Sequence, residues 1–218
     1  MRGIGLCLDI ENEWLADEVK RLISCIDYPL RFERICVSES CRAEFLKGDV
    51  KKDLEVSINP NNPLLNNRRI FRGYFARLVF LLINEKEGLH SEIHEAVNCP
   101  LAEPLVKNFF ADFKAAKYGF SKVMKQFFTE KITEKMYSKA PVTKREFVEY
   151  YTYYLVFKKL KEGDDLGALI MPLKPVGIDP LLKELEKLDY PFKLGDRNLA
   201  KVWKEVLGGE DVGDGELK

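Results

Sequence analysis

Arg69-Ile-Phe-Arg-Gly-Tyr-Phe-Ala-Arg-Leu-Val-Phe-Leu-Leu-Ile-Asn84 divides this chain into two kinds of sequence. Ile70, Phe71, Tyr74, Phe75, Leu78, Val79, Leu81 and Leu82 recur at helical spacing over an arc too wide for a surface helix. The spacing predicts a central helix buried on most sides. Its most apolar part, residues 75–83, is too short to cross a bilayer and carries Arg77.

Just before it stands Asn59-Pro-Asn-Asn-Pro-Leu-Leu-Asn-Asn67, rich in turn formers and poor in periodicity, which marks the expected boundary between two portions. Residues 1–60 read as mixed α and β. The apolar run 3–9 reads as a buried strand, and residues 12–26 place Leu15, Val19, Leu22, Ile23 and Ile26 on one helical stripe. Residues 32–38 read as a second strand and residues 54–58, which alternate apolar and polar, as a third.

Residues 68–207 read as mainly helical. A short helix over 89–97 ends at Asn98-Cys-Pro100, Pro104 opens another that runs to about Tyr118, and residues 120–136 continue with Val123, Met124, Phe127, Phe128 and Ile132 on one side. Thr143 with Glu146 is a capping-box signature for a helix reaching about Leu160. Asp179 and Pro180 start one more helix, Asp196 caps the last, and the acidic, glycine-rich residues 208–218 read as a disordered tail. The expected class is α+β, a small N-terminal sheet with one helix followed by a mainly helical portion.

The 218 residues suffice for one substantial core or two closely packed halves. Lys plus Arg equals Asp plus Glu at 35 each, so no global field draws nucleic acid or an anionic membrane. Residues 3–8 are too few for a signal-peptide core and are followed by Asp9, Glu11 and Glu13. A soluble cytoplasmic protein is expected. Cys7, Cys25, Cys36, Cys41 and Cys99 form no secreted disulfide framework and read as buried free thiols. Abundant charge with Gln126 as the only glutamine gives a thermophile-like composition, against which the many asparagines weigh.

The two histidines, His90 and His94, lie in Gly88-Leu-His-Ser-Glu-Ile-His-Glu-Ala-Val-Asn98. On a helix this spacing puts both imidazoles within about 40° of each other, as in half of a zinc site. Residues 75–118 resemble zincin metallopeptidases of the short, gluzincin-like type. In that family a hydrophobic helix backs a helix bearing H-E-x-x-H, and a further helix supplies an acidic third ligand. The resemblance implies residues 69–84 as the backing helix, residues 90–97 as the motif helix, and Asn108-Phe-Phe-Ala-Asp112 as the source of the third ligand. It makes His90, His94 and Asp112 the expected zinc ligands and Glu92 the expected catalytic base.

The motif departs from the family pattern. Its glutamate should follow the first histidine, about 100° round the helix, where it reaches a metal-bound water. Ser91 stands there, and Glu92 points about 180° from the middle of the pair. Sliding the register by one restores Glu92 as base but puts Ser91 and Glu95 at the ligand positions, and a neutral serine hydroxyl is a poor zinc ligand. Either register describes a degenerate site. Glu87, Cys99 and Glu103 are further donors within reach by sequence, and one histidine packed inward with the other in water is the plain alternative.

Arg68, Arg69, Arg72 and Arg77 cluster at the start of the buried helix, where Arg72 can meet an anionic ligand; salt bridges to nearby acids are the simpler reading. Tyr150-Tyr-Thr-Tyr-Tyr154 followed by Lys158, Lys159 and Lys161 can suggest nucleic-acid stacking. Phe147, Tyr150, Tyr151, Tyr154 and Leu155 nevertheless make an ordinary packing stripe, and Lys107, Lys114, Lys117, Lys122 and Lys125 a wet face. No phosphate-binding glycine loop or nucleophile elbow is present. The expected function is that of a non-catalytic zincin-like protein that binds a small molecule or another protein in the cleft of its former active site, through His90, Glu92, His94 and Glu95. The alternative is a zinc-dependent hydrolase built on His90 and His94 with an acidic third ligand. No nucleic-acid or membrane partner is expected.

Overall fold

The structure, a computed structural model, describes residues 5–29, 32–40, 44–51, 53–97, 99–100, 102–162, 165–188, 201 and 205. The expected cap at Asp196 and the tail 208–218 lie outside them. An α+β architecture results, with four strands and one helix first and the remaining helices after. Strands β1 (Gly5–Asp9), β2 (Arg34–Glu39), β3 (Leu46–Val50) and β4 (Leu54–Ile58) form one sheet in the order β1-β2-β4-β3. β1 and β2 are parallel, as are β2 and β4, whereas β3 runs antiparallel to β4. Helix α1 (Glu13–Ser24) makes the crossover between β1 and β2 and starts at Asn12, whose Oδ1 accepts from the Leu15 N–H at 3.1 Å.

Residue contacts gather into two units, Met1–Glu87 with Ala111–Lys131 and Gly88–Phe110 with Ile132–Lys218. In the first, one face of the sheet is apolar: Ile35, Val37, Leu54, Val56 and Ile58 are all buried. Helix α2 (Arg68–Lys86) lies against β3 and β4 and buries residues around most of its circumference, as its sequence predicts. Trp14 of α1 meets Phe71 of α2 with ring centroids 6.2 Å apart. The asparagines of 59–67 act as local caps inside this unit: Asn59 Oδ1 accepts from Asn61, Asn62 Oδ1 from Leu64, and Asn67 Oδ1 from Arg69 and Ile70.

Strand β3 has no clear signature in the sequence, because Lys47, Gly48 and Asp49 interrupt any apolar alternation. Gly48 is required by packing. A Cβ there would lie 2.5 Å from the Leu82 Cδ1 of α2, so the helix rests where the strand has no side chain.

Helices α3 (Leu89–Val97), α4 (Glu103–Ala115), α5 (Ser121–Ser138) and α6 (Lys144–Leu160) follow. α4 and α5 each contribute residues to both units. They meet at a wide turn, Ala116–Phe120, in which Gly119 takes φ 114°. A Cβ at Gly119 would lie 1.8 Å from the Cys25 carbonyl oxygen, and the Asp27 N–H donates to the Tyr118 carbonyl at 3.1 Å. The turn thus docks on the end of α1. Thr143 and Glu146 form the expected capping box of α6. α7 (Asp165–Ile170), which periodicity alone does not announce, and α8 (Asp179–Glu186) pack on α6. Of the expected packing stripe, Phe147, Tyr150, Tyr151 and Leu155 are buried and Tyr154 is half-buried; Tyr153, outside it, is buried as well.

Two expectations about surface and core are corrected. Only Cys99 among the described cysteines is buried, with Cys7 exposed and Cys25 and Cys36 half-buried. Lys114 is not on a wet face but buried, its Nζ 2.5 Å from Glu87 Oε2; Tyr28 donates to the other Glu87 oxygen at 2.6 Å.

Within the first unit, Arg77 of α2 donates to both oxygens of Asp112 on α4, each at 2.8 Å. The guanidinium also sits 5.1 Å from the centre of the Phe127 ring on α5. Both charged residues are buried. Breaking such a pair from one side leaves a buried charge poorly compensated. Asp112→Asn is therefore expected to destabilise the fold by about 3–5 kcal/mol, read from urea midpoints. Replacing both partners together, Arg77→Met with Asp112→Leu, should recover most of that loss; a single variant as stable as wild type would show the pair to be dispensable.

Candidate functional site

The short helix α3 begins abruptly. Gly88, at φ 84°, separates it from the end of α2, and the Ser91 and Glu92 N–H groups donate back to the Gly88 carbonyl at 3.1 and 3.2 Å. Leu89, Ile93 and Val97 form its buried stripe. That stripe leaves His94, Glu92 and Glu95 exposed and His90 half-buried. The break also takes Glu87 off the histidine helix, so it cannot extend that face, and its carboxylate is held by Lys114 and Tyr28.

His94 is held from α4. Its Nδ1 lies 2.8 Å from Glu103 Oε2, and Lys107 Nζ lies 2.5 Å from Glu103 Oε1. Lys107 first, and His94 second, hold the Glu103 carboxyl below its ordinary pKa. An ionised carboxylate has no proton to give, so Nδ1 carries the hydrogen of this contact. The side chain is 69% exposed. His90 differs in every respect. Its Nε2 is buried with no hydrogen-bond partner among the described residues. Burial, with the Lys107 charge adding and Glu103 opposing, lowers its pKa to about 4.

The other expected site residues are placed as follows. Asp112 has both oxygens on Arg77 and belongs to the first unit, whereas the histidines belong to the second. Arg72, expected to meet a ligand, donates to Glu18 from Nε at 2.6 Å and Nη2 at 3.3 Å. Arg69 pairs with Glu130 at 3.1 Å and Arg68 stacks 4.9 Å from the Trp14 ring centre, so the arginine cluster is a set of intramolecular contacts. Among the described residues no three or more His, Cys, Asp or Glu side chains gather as metal ligands. His90, His94 and Asp112 are therefore not brought together as a ligand set.

The second unit also has a polar cleft of about 130 Å³. Pro104 and Asn108 of α4 face Arg145, Glu149, Thr152 and Tyr153 of α6 across it. The buried Tyr153 hydroxyl donates to a Glu149 carboxylate oxygen. Thr152 donates to the Glu149 carbonyl at 2.7 Å. Arg145, exposed, makes no ion pair among the described residues. The histidines and Glu92 and Glu95 do not line this cleft. In sequence its one trace is the opposite charges of Arg145 and Glu149 one helical turn apart; that α4 faces them is a tertiary fact.

Because the chain has two histidines, proton NMR resolves their titrations singly. The His90 ring is expected to titrate near pH 4, identified by its survival in His94→Ala. Below pH 6.5 an unfolded chain protonates this ring while the fold refuses the proton until about pH 4. The stabilisation from neutral His90 is thus complete above pH 6.5 and is lost as pH falls through that window. His90→Gln should flatten stability against pH there; a His90 midpoint at its ordinary value would show the ring to be solvated. No family model, curated protein or solved structure matches this chain.

Proposed function

We propose that this chain is a non-catalytic binding protein of zincin-like pattern, in which the histidine helix no longer supports peptide hydrolysis. The observation that supports this reading most directly is the engagement of Asp112 by Arg77. A carboxylate that served a metal would have to abandon a buried guanidinium. Glu92 is exposed on a helix whose inward stripe is Leu89, Ile93 and Val97, a poor position for a base aimed at the histidine pair.

The ligand in this reading is a small carboxylate or the carboxylate end of a larger molecule, taken up in the cleft between α4 and α6. Arg145 supplies a guanidinium that makes no ion pair among the described residues, Asn108 an amide, and Glu149 with Tyr153 a wall that orients the rest. No described helix is long and apolar enough to cross a membrane. Free thiols at Cys7, Cys25, Cys36 and Cys99 suit a reducing compartment, and we assign the protein to the cytoplasm.

One observation favours the second reading, a zinc-dependent hydrolase. An exposed histidine whose Nδ1 donates to a carboxylate has the outer-shell support that zinc-binding histidines use. Two measurements separate the readings. Screening small mono- and dicarboxylates by thermal unfolding should find at least one that raises Tm by several degrees at saturation, an effect abolished by Arg145→Ala. Zinc reconstitution followed by dialysis should leave less than one equivalent bound. Stoichiometric zinc that His94→Ala removes without unfolding the chain would overturn the binding reading in favour of the metalloenzyme.

A further inference from the structure

The solvent face of the sheet carries two cysteines side by side. Cys7 of β1 and Cys36 of β2 are register partners in a parallel pair, so both side chains leave the sheet on the same side. The row continues through polar residues, Glu55 beside Cys36 and Asp49 beside Glu55. Both cysteines are free thiols, Cys7 exposed and Cys36 half-buried. After burial, the neighbouring Cys7 thiol is what raises the Cys36 pKa. Arg34, bonded to Asp53 at 2.7 Å, adds a positive charge nearby that works in the opposite sense.

We propose that Cys7 and Cys36 form a redox-reactive dithiol, which low-molecular-weight disulfides convert to a reversible intramolecular disulfide. Neighbouring strands lie about 4.8 Å apart, inside the Cα separation of roughly 4.4–6.8 Å that a disulfide requires. In a parallel pair the two Cβ bonds run alongside rather than toward each other. Closing the bond therefore shifts the strands and leaves the disulfide off its relaxed geometry, which makes it easy to reduce.

The steps balance. The more exposed Cys7 attacks one sulfur of a small disulfide RSSR as its thiolate, forming a mixed disulfide and releasing one RS⁻. The Cys36 thiolate then attacks Cys7 Sγ, closes the protein disulfide and expels the second RS⁻. The dithiol gives up two electrons, the reagent becomes two RSH, and the protons come from the two cysteines. The new bond ties β1 to β2 across the whole α1 crossover.

The test uses the full reduced chain equilibrated with mixtures of reduced and oxidised glutathione, quenched in acid, alkylated and mapped by mass spectrometry. Wild type should lose two hydrogens, join the peptides holding Cys7 and Cys36, and reopen with dithiothreitol. Closure should need about tenfold less oxidised glutathione than half-modification of Cys36→Ser, since the second thiol acts at high effective concentration. Cys36→Ser should stop at a glutathione adduct on Cys7. A wild-type chain that stays reduced throughout, carries glutathione without closing, or links Cys7 to Cys25, Cys41 or Cys99 would overturn the proposal. The wild-type map decides this alone if a serine variant fails to fold.

Discussion

A guanidinium and a carboxylate, nearly stripped of water, hold three helices of the first unit in one arrangement. Arg77 reaches from α2 to Asp112 on α4 and lies over Phe127 of α5. Apolar surface can slide; a two-point hydrogen-bonded pair in low dielectric cannot, because each unmade bond leaves a buried charge less compensated. Two residues further along α4, Lys114 meets Glu87 at the end of α2, and Tyr28 closes that cluster. Two buried positions of α4, Asp112 and Lys114, thus carry opposite charges from different sides of the helix. Their partners sit at different heights on α2, which fixes both the rotation and the axial position of α4 against it. Hydrophobic burial supplies the driving force, and these pairs select one packing among many that would bury similar area.

The same electrostatics set the character of the histidine region. Glu103 is shared between His94 and Lys107, and Lys107 in turn discourages a proton on His90. The two imidazoles therefore stand in contrasting states despite their spacing of one turn. One is propped by a carboxylate and open to solvent, the other neutral and dry. A pair of histidines that looks symmetric on a helical wheel is made unequal first by the burial of His90 and then by the charges α4 presents to each.

Local grammar was readable in the sequence wherever a side chain acts on its own backbone. Asn12, Thr143 with Glu146, and the alternation in Leu54–Ile58 announce their elements because caps and period-two burial need no distant partner. The breadth of the apolar arc on α2 likewise foretold its burial. Strand β3 stayed hidden because its central requirement, the absence of a side chain at Gly48, belongs to Leu82 of another element. Lys114 and Arg72 looked like solvent-facing or ligand-facing cations, since their acids lie 27 and 54 positions away. The histidine spacing was legible, but the Glu103 contact and the polar cleft exist only once α3, α4 and α6 are in place.

The two left-handed glycines flanking this region differ in how far damage would travel. At Gly88 a methyl group would meet open space, so alanine there costs only the local penalty of an unfavourable backbone, about 1–2 kcal/mol. At Gly119 the same methyl would strike the Cys25 carbonyl, part of the main chain that closes α1, and no rotamer can retreat from it. Evolution can therefore vary the joint ahead of the histidine helix at modest expense. The joint between α4 and α5 is fixed by a neighbour almost a hundred positions earlier, which makes it one of the least mutable points in the chain.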